Sequence, residues 1–415
     1  MSTKVLLINN CHYRRGGADV VYLNTGKLLE KNNHEVIYFS IKDEKNIENN
    51  FENYFVNNIN FFNTNVFKKF FSFFRFFYSF EAKNKLDKLI KLFKPDVAHI
   101  HFYKGGLTSS IIKSLIVNKI PIILTAHDYG IMDPHNALLD GNFNICDKII
   151  TKGPFYSVLV KSNRNSYLYS FISYLEYSFH NLKFPFDKVF NTIITVSKFS
   201  EKKFKESSFF KFNTKHLYNF FPGIYEKIPN HKKGDYFLFF GRLSKEKGFK
   251  TLINVWSNLK IESKLVIAGS YELKSHDSDL NILIKETKSI EMVGFKKGLD
   301  LECLIKNASF VLMPSEWYEN NPLSIIESYA LGKPVIGSDI GGITEIIEHN
   351  KTGFLMKMKD EKNFKCYLKK AFEMSDENYL KMSINARNFA LKNFNPEKHY
   401  QTLCTIYQNT IKDYE

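Results

Sequence analysis

Short apolar runs recur along the chain and alternate with segments in which apolar residues return every three or four positions. Five of these runs lie in the first half: Lys4–Ile8, Val36–Phe39, Val97–Ile100, Pro121–Thr125 and Thr192–Val196. Five more follow in the second half: Tyr236–Phe240, Lys264–Ala268, Glu291–Val293, Phe310–Met313 and Pro334–Gly337. Runs of this kind, separated by helical segments, are typical of strands buried on both faces of a parallel sheet. The pattern predicts an α/β fold with two doubly wound parallel sheets.

A segment that contains proline and glycine separates the two series of strands. Phe220–Gly223, with the polar residues 227–235 soon after it, is the best candidate linker. We therefore expect a first domain over residues 1–220 and a second over residues 221–395. The last segment, residues 396–415, reads as a helix, and the pattern does not assign it to either domain.

The charge balance favours anionic ligands. Lys and Arg outnumber Asp and Glu by 58 to 43, which gives a net charge of +15, and such a surface attracts phosphate, nucleic acid or acidic lipid headgroups. The cysteines are too scattered for a disulfide framework or a zinc site, and they are Cys11, Cys146, Cys303, Cys366 and Cys404. The start of the chain has no signal-peptide pattern, so we expect a cytoplasmic protein.

The most aromatic stretch of the chain, Phe61–Phe80, allows two interpretations. Its polar positions Lys68, Ser72, Arg75 and Ser79 recur at three- and four-residue steps, which fits an amphipathic helix lying on an anionic membrane surface. It also fits a buried helix of the first domain. The charges interrupt the apolar run, so the stretch does not meet the requirement for a membrane-spanning helix.

The segment Ser309–Gly342 is the most informative for chemistry. It begins as a strand, breaks at Pro314 and restarts as a helix near Pro322, with Asn320 and Asn321 as expected caps. The start of such a helix offers N–H groups and a positive dipole end to a phosphate group. At the carboxyl edge of a parallel sheet, it would lie where ligands bind.

Two acids and two cations in the second half could hold a charged, hydroxylated ligand. Glu319 and Glu327 flank the expected helix start, and ionised carboxylates accept hydrogen bonds from hydroxyl groups. In Phe239–Gly248, Arg242 can grip phosphate oxygens as a fork and Lys247 can add a mobile charge. The alternative is that Glu319 is solvated, that Glu327 is a surface residue or pairs with the helix dipole, and that the basic loop is an ordinary exposed one.

Several segments, taken in order, resemble the motifs of glycosyltransferase family 4. They are Gly16–Ala18, Pro95–His101, Leu124–Asp128, Thr195–Ser197, Gly241–Gly248, Glu319–Glu327 and Gly341–Glu345. The resemblance covers roughly residues 3–355. It implies the GT-B fold, in which two Rossmann-like domains face each other across a cleft, and a nucleotide-sugar donor.

The resemblance also implies roles for the donor-binding residues. Arg242 and Lys247 would neutralise the donor diphosphate, while Gly16 and Gly17 would close over it. Glu327 would bind the ribose. No cofactor or metal ion is expected, since the family works without one.

Two residues would lie at the reaction centre if the resemblance holds. His127 would contact the transferred sugar or orient the acceptor, and Glu319 would hold sugar hydroxyls. The family also implies that the anomeric configuration is retained. Residues 130–132, Gly-Ile-Met, depart from the commoner family pattern, which leaves the acceptor side open.

We therefore expect a retaining glycosyltransferase, hexosyltransferase-like, that uses a UDP- or GDP-sugar and a saccharide or lipid-linked saccharide acceptor. Its setting would be cell-surface polysaccharide or glycolipid assembly, in the cytoplasm or on the inner face of the membrane through Phe61–Phe80. The alternatives are a GT-B nucleotide-sugar epimerase and a basic membrane-surface protein without activity. No nucleic-acid-binding motif is found, so we expect no nucleic-acid partner.

Overall fold

The chain forms two compact units. The computed structural model describes residues 2–58, 75, 77–270 and 278–415. The first unit runs to Leu217 and includes Glu397–Glu415, and the second unit is Tyr218–Pro396. Most of the predicted amphipathic stretch Phe61–Phe80 lies outside the described residues. None of the helices within the described ranges is long and apolar enough to cross a membrane.

The first unit contains a six-stranded parallel sheet of order β2-β1-β3-β4-β5-β6. Its strands are β1 Lys4–Asn9, β2 Glu35–Phe39, β3 Val97–Phe102, β4 Ile122–Ala126, β5 Thr192–Thr195 and β6 Thr214–His216. Its helices are α1 Gly17–Lys31, α2 Phe80–Phe93, α3 Ser110–Val117, α4 Lys148–Lys152, α5 Tyr156–Leu159, α6 Tyr167–Lys183, α7 Phe186–Val189 and α8 Lys198–Lys205. Strands β4 and β5 are buried along their whole length, as the uniformly apolar runs predicted.

The second unit repeats the architecture, with a parallel sheet of order β12-β11-β10-β7-β8-β9. Its strands are β7 Tyr236–Phe240, β8 Lys264–Ala268, β9 Ile290–Met292, β10 Ala308–Met313, β11 Val335–Ser338 and β12 Gly353–Met356. Its helices are α9 Phe249–Ser257, α10 Ser278–Glu286, α11 Gly298–Asn307, α12 Leu323–Ala330, α13 Ile343–Ile346, α14 Glu361–Phe372 and α15 Asp376–Asn393. The prediction of two Rossmann-like parallel sheets is confirmed.

Each sheet has one point at which the chain reverses its direction of winding. In the first unit it winds outward from β1 to β2 and then returns to the other side of β1 with β3. In the second unit it winds outward from β7 through β9 and returns beside β7 with β10. The loops after the two central strands therefore diverge at the carboxyl edge, and ligands of open α/β sheets bind in the crevice so formed.

Two strands were not predicted from the pattern. Strand β6 is a three-residue polar strand, Thr-Lys-His, at the edge of the first sheet, so it lacks a buried apolar run. Strand β12 is apolar but short and begins with a glycine, which weakens a strand signal. The ten predicted strands are present with ends within two residues of those expected.

The last helix, α16 (Pro396–Tyr414), packs on the first unit. Leu403, Ile406 and Tyr407 enter the core that forms around β1. The Tyr407 hydroxyl lies 2.7 Å from Nδ1 of His99 on β3. The contacts of α16 thus link the two ends of the chain within one unit, a pairing that the sequence pattern left open.

Replacing Leu403 by alanine should therefore destabilise the first unit. Its side chain is 1% exposed, and a buried Leu→Ala change costs about 2–5 kcal/mol through lost burial and a residual cavity. Urea unfolding measures the loss. As a control, Leu92→Ala removes a side chain that is 64% exposed in the same unit, and it should cost less than about 1 kcal/mol. Equal losses in the two variants would contradict the packing of α16.

Candidate active site

The loops after β7 and β10 lie side by side at the carboxyl edge of the second sheet. Strands β7 and β10 are paired in parallel, so residues 241–248 and 314–322 leave the sheet next to each other. The backbone N–H of Glu316 donates to the carbonyl oxygen of Glu246 at 2.8 Å, which ties the two loops together. The loops bring together Lys247 and Glu319, two of the predicted site residues.

Lys247 and Glu319 form a buried ion pair. Lys247 Nζ lies 2.6 Å from Glu319 Oε1, and the side chains are 17% and 7% exposed. The same oxygen accepts hydrogen bonds from Ser315 Oγ at 2.8 Å and from Trp317 Nε1 at 2.7 Å. The Trp317 ring also lies 5.5 Å from Lys247 Nζ, a cation–π contact. Sequence reasoning did not single out Ser315 or Trp317, although both lie in the loop just before Glu319.

These contacts keep Glu319 ionised. Burial alone would raise the pKa of this carboxyl group, but the Lys247 charge and the hydrogen bonds from Lys247, Trp317 and Ser315 lower it below its usual value. At neutral pH the group is therefore a carboxylate that only accepts hydrogen bonds. It holds the Lys247 ammonium group in place at the carboxyl edge of the second sheet.

Two glycines allow the loops to approach this closely. A Cβ at Gly248, where φ is +68°, would lie 1.8 Å from the carbonyl oxygen of Pro314. A Cβ at Gly341, where φ is +60°, would lie 2.5 Å from the carbonyl oxygen of Glu319. That oxygen accepts a 2.6 Å hydrogen bond from the N–H of the next residue, Gly342. Both positions combine a left-handed backbone with close contact, so only glycine fits without strain.

Helix α12 begins one residue later than expected and is capped differently. Its N-cap is Pro322, and no side chain caps it, so the predicted capping by Asn320 or Asn321 is wrong. The Asn321 side chain instead accepts a 2.9 Å hydrogen bond from the N–H of Asn219, which holds the loop against the start of the second unit. Glu327 lies on α12 and is half-buried.

Arg242 is an exposed cation in the loop after β7. Its side chain is 67% exposed and lies 3.5 Å from Glu246, and in such solvent a surface pair contributes little to stability. The guanidinium is therefore held loosely. This leaves it able to reach an anionic ligand as a two-pronged donor.

Gly16 and Gly17 lie in the loop and first turn that follow β1 in the first unit. Gly16 is the N-cap of α1 and Gly17 its first residue. The Gly16 N–H donates to Asp19 Oδ2 at 3.0 Å, and Asn9 Nδ2 donates to Asp19 Oδ1 at 2.8 Å. Burial raises the pKa of Asp19 despite these bonds and the charge of Arg15. The buried carboxyl group of Asp19 thus holds the backbone of this loop in place.

His127 follows β4 in the first unit and belongs to a row of three histidines. Its Nε2 lies 3.0 Å from Nδ1 of His101, and the two rings are stacked. His101 in turn lies against His99, whose Nε2 is 2.6 Å from Thr125 Oγ1. His99 thus bonds to two hydroxyl groups and His101 Nδ1 to His127, while His101 Nε2 is buried and has no hydrogen-bond partner in the part of the chain that the structure describes. Across the described residues, no group of three or more His, Cys, Asp or Glu side chains could hold a metal ion.

All three histidines are neutral at physiological pH. Burial lowers the pKa of His127 to about 4 and that of His99 to about 3, and it lowers the pKa of His101 as well. In a neutral pair one ring donates and the other accepts, so the tautomer of His127 is coupled to that of His101. The row does not charge His127.

Lys104 lies beside His127 and was not predicted. It lies two residues after the end of β3. Its Nζ donates to the carbonyl oxygen of Gly130 and lies 5.1 Å from the centroid of the Tyr177 ring. Burial lowers its pKa, although nearby carboxylates, Asp128 among them, oppose the shift. Lys104 and His127 line one pocket. Its position at the end of a central strand is the signal that could have identified it.

Family models match both units. The model described as Glycosyltransferase Family 4 matches residues 15–207, and the model described as Glycosyl transferases group 1 matches residues 223–389. The chain belongs to the GT-B glycosyltransferases of the family 4 type. The two matches fall on the two parallel-sheet units.

Relatives of this family 4 chain include an uncharacterised glycosyltransferase of Methanocaldococcus jannaschii, 35% identical over 30% of this chain and 32% of that one. A UDP-Gal:alpha-D-GlcNAc-diphosphoundecaprenol alpha-1,3-galactosyltransferase of Escherichia coli is 28% identical over 45% of this chain and 49% of that one. The chain thus spans less than two thirds of the length of these relatives. HepE of Anabaena, solved in complex with UDP-glucose, shares the fold with a TM-score of 0.69 at 15% identity, covering 98% of this chain and 100% of that one.

Lys247→Met should destabilise this family 4 protein more at high pH than at low pH. The lowered pKa of Glu319 means that the pair now stabilises the fold above the unfolded pKa and is lost only as the pH falls through the folded pKa. Without Lys247 the pKa rises, so burying the carboxylate costs about 3 kcal/mol near pH 8 and less near pH 5.

Thermal unfolding at both pH values measures this effect. The double variant Lys247→Met/Glu319→Gln should regain part of the stability and lose the pH dependence, because no buried charge remains. Arg242→Met, which removes a side chain that is 67% exposed, is the matched control and should change little. Equal losses for Lys247→Met at the two pH values would show that Lys247 does not control the charge of Glu319.

Proposed function

We propose that the protein is a retaining glycosyltransferase that moves a sugar from a nucleoside-diphosphate donor to a saccharide or lipid-linked saccharide acceptor. The observation that carries the proposal is the Lys247–Glu319 pair, held at the winding reversal of the second sheet and flanked by Arg242 and the start of α12. This arrangement presents fixed and mobile cations beside a hydroxyl-accepting carboxylate. A nucleotide sugar needs both, because its diphosphate binds to cations and its sugar hydroxyl groups donate to a carboxylate.

The reaction creates charge that these residues can stabilise. As the bond between the anomeric carbon and the phosphate oxygen breaks, negative charge grows on the diphosphate and positive charge grows on the sugar. Lys247, Arg242 and the helix N–H groups would bind the leaving diphosphate, and preorganised groups of this kind supply much of the stabilisation in such steps. The acceptor oxygen then bonds to the anomeric carbon on the same face, and its proton passes to the leaving phosphate. We propose that no metal ion takes part.

Gly16 supports a donor role for the first unit as well. Its φ of −151° is open to any residue, and a Cβ there would meet only Asp19 Oδ2, at 3.7 Å. The fold by itself does not demand glycine at this position. Close approach of a diphosphate to the backbone would demand it, which agrees with the role that the family resemblance implies. His127, neutral and hydrogen-bonded to His101, would contact the sugar or the acceptor.

The relatives favour a uridine nucleotide and a cell-surface product. HepE was solved with UDP-glucose, and the Escherichia coli relative is named as a UDP-Gal transferase with a diphosphoundecaprenol acceptor. We therefore propose a UDP-sugar ahead of a GDP-sugar, and a role in polysaccharide or glycolipid assembly on the cytoplasmic side of a membrane. Binding of Phe61–Phe80 to that membrane stays part of this proposal.

Thermal stabilisation by a panel of UDP, GDP and their sugar conjugates tests the donor site. One nucleotide family should stabilise the protein, and the affinity should fall about tenfold or more in Arg242→Ala and in Glu327→Gln, because each loses a charged contact to the ligand. Lys264→Ala and Glu348→Gln, with side chains 66% and 50% exposed, are the matched controls and should bind as the wild type does.

Incubating the protein with the stabilising donor distinguishes the enzyme classes. Transfer to an added lipid-linked saccharide, with the product anomer assigned by NMR, should show retention. Conversion of the donor sugar without an acceptor would identify an epimerase instead. No stabilisation by any nucleotide, in a folded protein, would overturn the proposal.

Gly16→Ala should lower the affinity for the donor without changing the free energy of unfolding. The variant should unfold within about 0.5 kcal/mol of the wild type, because its backbone is extended and the added methyl group has room. Its donor affinity should nevertheless fall, because the methyl group would enter the space next to the diphosphate. Titration calorimetry and urea unfolding on the same preparation measure the two quantities. Unchanged affinity would remove Gly16 from the donor site.

A further inference from the structure

Helix α6 is amphipathic in the inverse sense, with polar contacts on its inner face and apolar residues on its outer face. On the inner side the Tyr177 hydroxyl donates to the carbonyl oxygen of Ile131 at 2.9 Å. His180 Nδ1 lies 2.5 Å from Ser109 Oγ, and both side chains are buried. These contacts fix the orientation of the helix on the first unit.

The outer face carries an apolar stripe. Its members recur at three- and four-residue steps and are between 36% and 83% exposed: Leu168, Ile172, Leu175, Phe179 and Leu182. Tyr167, Tyr169 and Phe171 extend the exposed surface, as does Phe155 from the neighbouring helix α5. Single exposed apolar side chains are normal, but a continuous stripe of this size on a helix whose inner face is already fixed marks an interaction surface. We call this stripe, with its flanking residues, the α6 surface.

The segment that leads into α6 carries cations and no acids. Residues 148–175 contain Lys148, Lys152, Lys161 and Arg164 but no Asp or Glu. The first acid after them, Glu176, has a side chain 12% exposed and lies 3.5 Å from His180. The acid-free flank therefore presents positive charge together with apolar and aromatic side chains.

The cations also lie directly on aromatic rings of the surface. Lys161 Nζ lies 4.6 Å from the Tyr167 ring centroid, and Arg164 lies 4.9 Å from that of Tyr169. Lys183 Nζ lies 5.2 Å from the Phe179 ring. Amphipathic side chains of this kind place their rings at the level of lipid headgroups and their charges in the aqueous layer above.

We propose that the α6 surface docks on an anionic lipid bilayer, with the apolar stripe entering the interface and the cations meeting acidic headgroups. Charge complementarity favours an anionic bilayer as the partner. The segment that leads into the stripe carries cations and no acids, and the chain has a net charge of +15. A protein partner would have to neutralise the same cations with its own acids. Phe77 and Tyr78, at the end of the stretch Phe61–Phe80, contact Phe179 and Lys183 at one edge of this surface. The proposal is carried by the α6 residues and does not rest on transferase activity.

Co-sedimentation with vesicles tests the docking. The full chain is mixed with vesicles of phosphatidylcholine alone and of phosphatidylcholine with phosphatidylglycerol. The wild type should bind the anionic vesicles, less so as salt is added. The variant Leu168→Ser/Ile172→Ser/Leu175→Ser should bind about tenfold more weakly or worse, because three interfacial side chains are lost. Lys161→Gln/Arg164→Gln should also weaken binding and reduce its dependence on salt.

A matched triple variant controls for general loss of apolar surface. Leu92→Ser/Ile228→Ser/Leu299→Ser alters three side chains that are 64%, 76% and 78% exposed elsewhere, and it should bind as the wild type does. Circular dichroism and nucleotide-dependent stabilisation, recorded on every preparation, separate a failure of this proposal from a failure of the donor site.

Three results would overturn the proposal. The wild type could fail to bind anionic vesicles at low salt. The α6 triple variant could bind as well as the wild type, which would show that another part of the chain contacts the membrane. Analytical ultracentrifugation without lipid could show a dimer that only the α6 triple variant dissociates, which would make the surface a contact between copies.

Discussion

A carboxylate that folding buries must keep a cation beside it, and in the second unit this demand falls on Glu319 and Lys247. Their 2.6 Å contact joins the loops after β7 and β10, and Ser315 and Trp317 complete the shell around one oxygen. Removing either charge would leave the other buried and unpaired, which costs far more than an exposed pair is worth. Gly341, in the loop after β11, packs against the backbone of Glu319, so a third loop supports the same residue.

Parallel strands place this pair where it can act. In each unit all the carboxyl ends of the strands share one edge, so residues far apart in sequence gather there without a dedicated scaffold. In the first unit the same geometry brings Lys104 beside His127. The electrostatics of the two edges differ. The second unit holds a charged pair, whereas burial keeps the histidine row of the first unit neutral.

The first unit carries two helices whose roles follow from which face they bury. Helix α16 buries Leu403 and Tyr407 against the sheet, so it completes the core. Helix α6 is fixed by the hydrogen bonds that join Tyr177 to Ile131 and His180 to Ser109, and it leaves its apolar stripe outside. The usual amphipathic arrangement is thus kept in one and inverted in the other. Inversion is costly in water unless another phase or partner receives the stripe, which is why α6 is the surface to test with lipid.

The sequence by itself determined the local structure and the family. Uniformly apolar runs specify buried strands whatever their neighbours, so the strands Lys4–Asn9 and Tyr236–Phe240 could be predicted with little context. The ordered motifs placed Lys247 and Glu319 among the candidates. Tertiary structure alone decided that these two pair directly, that His101 and His127 share a hydrogen bond, and that the last helix joins the first unit. Each of these depends on contacts between distant segments, and periodicity carries no information about which loops meet at the edge of a sheet.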